Sequence, residues 1–100
     1  MKQTGVSATL HASHDDPRGD LPRHWHSWEI IAWFSHLGDA RDRRAELDES
    51  LATLQGMHLD PSIAWGEDLA EHLAKQLPGC VEIEIRRPGE RLLARWRADC

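Results

Sequence analysis

His24-Trp25-His26-Ser27-Trp28-Glu29-Ile30-Ile31-Ala32-Trp33-Phe34 is the stretch that decides the fold. Read with a period of two, it places His24, His26, Trp28, Ile30, Ala32 and Phe34 on one face of a strand. Trp25, Ser27, Glu29, Ile31 and Trp33 fall on the other. Both faces are apolar, so the strand has to be covered twice, by helices on one side and by another subunit on the other. Upstream, Val6, Ala8, Leu10, Ala12 and His14 alternate with Ser7, Thr9, His11 and Ser13, which reads as a half-buried strand. Asp15-Asp16-Pro17-Arg18-Gly19-Asp20 between them is turn chemistry, so the two strands are expected to pair as a hairpin.

Downstream the period changes at Gly38-Asp39. Asp39 is an N-cap candidate, and Leu47, Leu51 and Leu54 recur at helical spacing until Gly56 closes the helix. A loop from Met57 to Trp65 leads to a second helix over about Gly66–Leu77, with Leu69, Ala70, Leu73 and Leu77 as its stripe and Pro78-Gly79 as its stop. Val81, Ile83 and Ile85 then alternate with Glu82, Glu84 and Arg86. Pro88-Gly89 turns the chain, and Leu92, Ala94 and Trp96 alternate with arginines on a last strand. The order ββααββ, with helices on one side of the strands, specifies an α+β fold with an antiparallel sheet in a single domain spanning residues 1–100.

The 100 residues suffice for one core. A net charge of -5 argues against a nucleic-acid partner, and no apolar run is long enough for a membrane span. Met1-Lys2-Gln3-Thr4-Gly5 lacks the apolar segment of a secretory signal. Cys80 and Cys100 give neither a disulfide framework nor a CxxC pair, and a reducing cytoplasm is the compartment expected. Five tryptophans beside one Phe and no Tyr are many for so small a core. Some of them are expected to find partners on other copies of the chain.

The seven histidines carry the chemistry. In a strand His24 and His26 share a face about 7 Å apart, and His14 has the parity to join them if the hairpin forms. Three neutral imidazoles and one open position is the donor set of a catalytic zinc, which polarises a substrate oxygen as a Lewis acid. An H-x-H pair also occurs on surface strands by chance, and solvated or packing histidines are the competing reading. Cupin barrels use the same pair but require many more strands.

Five segments, taken in order, resemble the 6-pyruvoyltetrahydropterin synthase / 6-carboxytetrahydropterin synthase family. Leu10-His11-Ala12-Ser13-His14 is similar to its F-x-A-x-H strand, and His24-Trp25-His26-Ser27-Trp28 to its H-G-H-S-[FY]. Leu54-Gln55-Gly56-Met57-His58-Leu59-Asp60 resembles L-D-H-x-x-L-N, and Trp65-Gly66-Glu67-Asp68-Leu69-Ala70 resembles T-S-E-x-[LI]-A. Glu84-Ile85-Arg86-Arg87-Pro88 falls at the final strand pair. The resemblance implies a T-fold (tunnelling fold) subunit whose sheets join into a homo-oligomer with sites between subunits. It implies Zn2+ held by His14, His24 and His26, and lyase chemistry on 7,8-dihydroneopterin triphosphate or a pterin-like substrate, as in queuosine biosynthesis. It also implies that Glu67 meets the pterin.

The departures are specific. The family's catalytic cysteine falls at Asp20, and its Asp-His relay falls on Gln55 and Gly56. The glutamate that grips the pterin falls near Arg87. Asp20 as a buried base and His58 as a displaced relay histidine are the substitutes available, against a turn aspartate and a solvated loop histidine. The losses keep open a second reading, a repurposed zinc-binding relative that takes another small ligand, and a third, an interaction module without metal. Among the rest, His11, His36 and His72 read as surface residues. Trp28 and Trp96 read as core, and Trp25, in place of a glycine, needs a neighbouring subunit or solvent to house it. Arg86, Arg87, Arg91, Arg95 and Arg97 read as a solvated cluster pairing with Glu82 and Glu84, or as a receiver of phosphate.

Overall fold

The computed structural model describes residues 2–15, 24–35, 39–64, 66–87, 89 and 91–98, with the backbone alone at His24 and Leu92. Asp20, His36, Trp65, Pro88 and Cys100 lie outside the described residues, as does the turn from Asp16 to Asp20. The elements are β1 (Thr4–His14), β2 (His24–Phe34), α1 (Ala40–Ala52), a single 3-10 turn (Pro61–Ile63), α2 (Gly66–Lys75), β3 (Cys80–Arg87) and β4 (Leu92–Arg97). The strands form one four-stranded antiparallel sheet in the order β1-β2-β3-β4. The expected α+β layout of two hairpins with two helices on one face is what the chain adopts. No helix among the described residues is long and apolar enough to cross a membrane.

Register follows the hydrophobic alternation. β1 runs against β2 from Thr4↔Phe34 to His14↔His24 without a break. One face of the sheet is therefore Leu10, Ala12, Trp28, Ile30, Ala32, Phe34, Ile83 and Ile85, all buried under the helices. α1 lies against β1 through Leu47 and Leu51, and α2 lies against β3 and β4 through Leu69, Ala70, Leu73 and Ala74. Asp39 caps α1 by accepting from the Arg41 backbone N–H at 2.8 Å. In α2 the acids Glu67 and Asp68 open the helix while His72 and Lys75 close it, the arrangement the helix dipole favours.

One detail departs from the alternation. A bulge lets Glu82 pair with Trp33 while Cys80 pairs with Phe34, so one residue of β3 is extra. Cys80 rather than Val81 then packs against the core. Burial raises the Cys80 thiol pKa, and its Sγ donates to the Glu82 carbonyl at 3.4 Å. The opposite face of the sheet carries ion pairs, Arg97 to Glu82 at 2.6 Å, and Arg95 and Arg86 to Glu84 at 2.9 Å and 2.8 Å. These are the pairs expected of the arginine cluster. Trp25 on that face is 51 % exposed and stacks on the His11 ring with 5.2 Å between centroids.

Candidate functional site

The helix-covered face of the sheet changes character at one end. Beyond Leu10 and Trp28 its next positions are Ala12 and His26, then His14 and His24, so the apolar rows give way to histidines. β1 and β2 are long enough to carry these residues past the helices, which is why the core side of the sheet ends in a polar cluster. His14 is 7 % exposed, and its ring lies 4.9 Å from that of His26, tilted by 56°. Trp28 meets both rings edge-on or tilted, at 5.9 Å and 5.5 Å. The His24 backbone stands directly opposite His14; its side chain lies outside the described residues.

This arrangement can be tested against a tetrahedral metal. Two imidazoles on one zinc, with Zn–N about 2.0 Å, have ring centres about 5 Å apart. The observed separation of His14 and His26 meets that requirement, and the register brings the His24 backbone to the same end of the same face. The donor chemistry of the two described rings fits zinc, and the register sets the His24 backbone beside them. No cluster of three metal-binding side chains occurs among the described residues, which do not include the His24 side chain.

Arg87 is the residue that sequence reading misplaced. It lies two positions after Ile85 and so shares the helix-covered face, away from the arginine cluster with Glu82 and Glu84. Its Nη2 lies 2.8 Å from His26 Nδ1 and 3.0 Å from His26 Nε2. One nitrogen that close to both ring nitrogens cannot lie in the ring plane, since Cε1 stands between them. Nη2 therefore stands over the face of the imidazole. The in-plane directions through which imidazole binds a metal lie outside this contact.

Beside these histidines is a cavity of about 270 Å³ lined by His14, Trp28, Ala64, Gly66, Glu67, Ile85, Arg87, Leu93 and Ala94. Trp28, Ile85 and Ala94 come from the sheet, and Gly66 and Glu67 from the start of α2. Glu67 is exposed, so its carboxylate is solvated at the cavity rim. Of the expected site residues, His14 and Glu67 line the cavity directly, and His26 reaches it through Arg87.

His58 does not line this cavity. The segment from Gln55 to Leu59 runs along the edge of β1 and is bonded to it. Gly56 N–H donates to the His11 carbonyl at 2.7 Å, Ser13 N–H to the Met57 carbonyl at 3.0 Å, and Leu59 N–H to the Ser13 carbonyl at 2.7 Å. The Gln55 side chain imitates a further peptide unit. It accepts from His11 N–H at 3.0 Å and donates to the Thr9 carbonyl at 2.8 Å. Gly56, at φ 71°, supplies the left-handed turn that this docking needs. His58 itself is bonded through Nδ1 to Ser13 Oγ at 2.9 Å, with Nε2 3.3 Å from Asp15 Oδ1. His58 is exposed, as the solvated-loop reading has it, and is in addition held at both nitrogens. The strand parity of Ser13 and the two residues to Asp15 were the signals that could have located this chain.

No family model matches the chain, and the curated proteins hold no match. Among solved structures, the Caenorhabditis elegans 6-pyruvoyl tetrahydropterin synthase superposes with a TM-score of 0.81. The match covers 98% of this chain and 96% of that one, at 10% sequence identity. The T-fold is shown. At that identity the likeness speaks for the fold alone, and the chemistry has to be argued from the residues present.

Proposed function

We propose that the chain is a zinc-binding T-fold protein acting as a lyase on a pterin-like substrate of the 7,8-dihydroneopterin triphosphate type. The observation that carries the reading is the meeting of His14, His26 and the His24 position beside a cavity with one aromatic wall. His14, His24 and His26 would hold the ion, which as a Lewis acid polarises a side-chain oxygen of the substrate. Trp28 and Ile85 exclude water and offer an apolar wall to a planar ring. Glu67 accepts from N–H donors on the ring edge. His58, oriented by Asp15 and Ser13, and Asp20 are the groups available to move protons. Because His58 stands at the edge of β1, it would serve the cavity of a neighbouring copy in a homo-oligomer.

One observation favours a second reading. Gln55 and Gly56, which stand where the family has its Asp-His relay, are both spent on holding the edge of β1. A protein that keeps the ion and the cavity but binds another small ligand needs no relay. Zinc-loaded protein incubated with 7,8-dihydroneopterin triphosphate separates the two, with released triphosphate followed by phosphorus NMR. Release that is lost in His58→Ala supports the lyase. Bound zinc with no release overturns it in favour of the binding protein.

A further inference from the structure

A second cavity belongs to the face of the sheet turned away from the helices. It holds about 440 Å³, within the range of small-molecule sites, and its lining includes Ser7 and Thr9 of β1, Ser27 and Glu29 of β2, and Arg44 of α1. The register puts Thr9 directly opposite Glu29 and His11 opposite Ser27, so the sheet residues form one patch. Glu29 is half-buried and makes no hydrogen bond or ion pair among the described residues. Its cross-strand neighbour Arg86 is turned to Glu84 instead, at 2.8 Å. The Ser7 and Thr9 hydroxyls have no hydrogen-bond partner among the described residues either, while Ser27 Oγ lies 3.0 Å from His11 Nδ1. The His11 ring stacks on Trp25, which gives that end of the patch an aromatic border.

The balance of these groups selects a ligand class. Glu29 repels anions and Arg44 repels cations, so the lining carries no net charge that would favour an ion of either sign. What it offers is hydrogen bonding in both senses, because a carboxylate accepts, a guanidinium donates and hydroxyls do both. Arg44 places Nε 3.4 Å from Asp48 Oδ1 and keeps further N–H groups to give. We propose that this cavity binds a neutral polyhydroxylated ring, a monosaccharide. Two neighbouring hydroxyls of the sugar donate to Glu29, and its other oxygens meet Ser7, Thr9 and Arg44. The aromatic border at His11 and Trp25 faces the apolar C–H side of the ring. None of the groups invoked belongs to the histidine cluster or its cavity, so the inference goes beyond the lyase reading.

The test uses the full chain and the methyl glycosides of glucose, galactose and mannose, titrated while the backbone amide signals are followed by NMR. Tetrahydropyran-2-methanol (the same ring without its ring hydroxyls), tetramethylammonium and acetate are the controls. At least one glycoside is expected to bind with a dissociation constant of about 1 mM, the affinity ordinary for a ligand of this size. Its binding should shift the amides of Ser7, Thr9, Ser27 and Glu29. The ring without hydroxyls should bind about tenfold or more weakly, since it leaves the carboxylate without donors. Glu29→Gln and Thr9→Val should each weaken the best glycoside several-fold, with the circular dichroism spectrum unchanged. Saturable binding by none of the three glycosides overturns the proposal. So does equal binding of the ring without hydroxyls, or tighter binding of tetramethylammonium or acetate. Glycoside binding that neither substitution changes places the sugar elsewhere and overturns it too. Triphosphate release is measured without any sugar, so a failure here is distinct from a failure of the lyase reading.

Discussion

Gln55 shows how one side chain can replace a length of backbone. Bonded to both His11 N–H and the Thr9 carbonyl, it extends the pairing of the docked segment by one position along β1. Gln55→Ala should cost about 1–2 kcal/mol, the loss of two ordinary hydrogen bonds at a solvated edge, read from urea unfolding midpoints. Gln55→Glu should cost more, since a carboxylate has no N–H for the Thr9 carbonyl. Asp60 makes a second local test. It caps the 3-10 turn, and its carboxyl pKa is lowered below 3.8 by the Ser62 backbone N–H first and the Ser62 hydroxyl second. A depressed folded pKa stabilises the fold above the unfolded value, and that gain is lost as the pH falls through the folded one. Asp60→Ala should therefore melt below wild type at pH 7, with the gap narrowing toward pH 3. At this scale the sequence was legible wherever parity alone decides, as for His14, His26 and Trp28. Arg87 followed the same rule, yet reading it with its charged neighbours put it on the wrong face. The roles of Gln55 and His58 depend on where a loop lands, which no local pattern encodes.

Among the elements, α2 approaches β4 closely. A Cβ on Gly66 would stand 2.7 Å from Ala94 Cβ, a rigid atom on the sheet. Alanine gains at most about 1 kcal/mol in helix propensity over glycine, and less at a first helical position. Crowding of a packed contact costs about 1–3 kcal/mol, so crowding wins. Gly66→Ala should lower stability and also displace the start of α2, weakening ligand binding at the cavity it lines. Thermal melts read the first effect, and triphosphate release from 7,8-dihydroneopterin triphosphate reads the second. The ββααββ order and the pairing of both hairpins were legible because each strand alternates and each helix has a stripe. The bulge at Cys80 was not, because Cys80, Val81 and Ile83 are all apolar and periodicity cannot say which one is extra.

At the scale of the whole molecule, the sheet ends on two edges, β1 and β4. The segment from Gln55 to Leu59 covers the edge of β1 from Thr9 to Ser13, while the earlier part of β1 and the outer side of β4 carry backbone groups that a second copy could pair with. Trp25, exposed on the face away from the helices, adds an aromatic surface to such a contact. Sedimentation at micromolar concentration should give a multiple of the single-chain mass, and a single-chain mass at every concentration would contradict assembly. Assembly is also what would bring His58 of one copy to the cavity of another. The central claim is that His14, His24 and His26 together hold a metal. Zinc per chain, measured by elemental analysis on untagged protein beside His24→Ala, tests it most directly. The account expects about one zinc per chain in wild type and almost none in His24→Ala, with the fold of both intact by circular dichroism. Wild type that takes up no zinc after loading, or His24→Ala that keeps it, would contradict the three-histidine site.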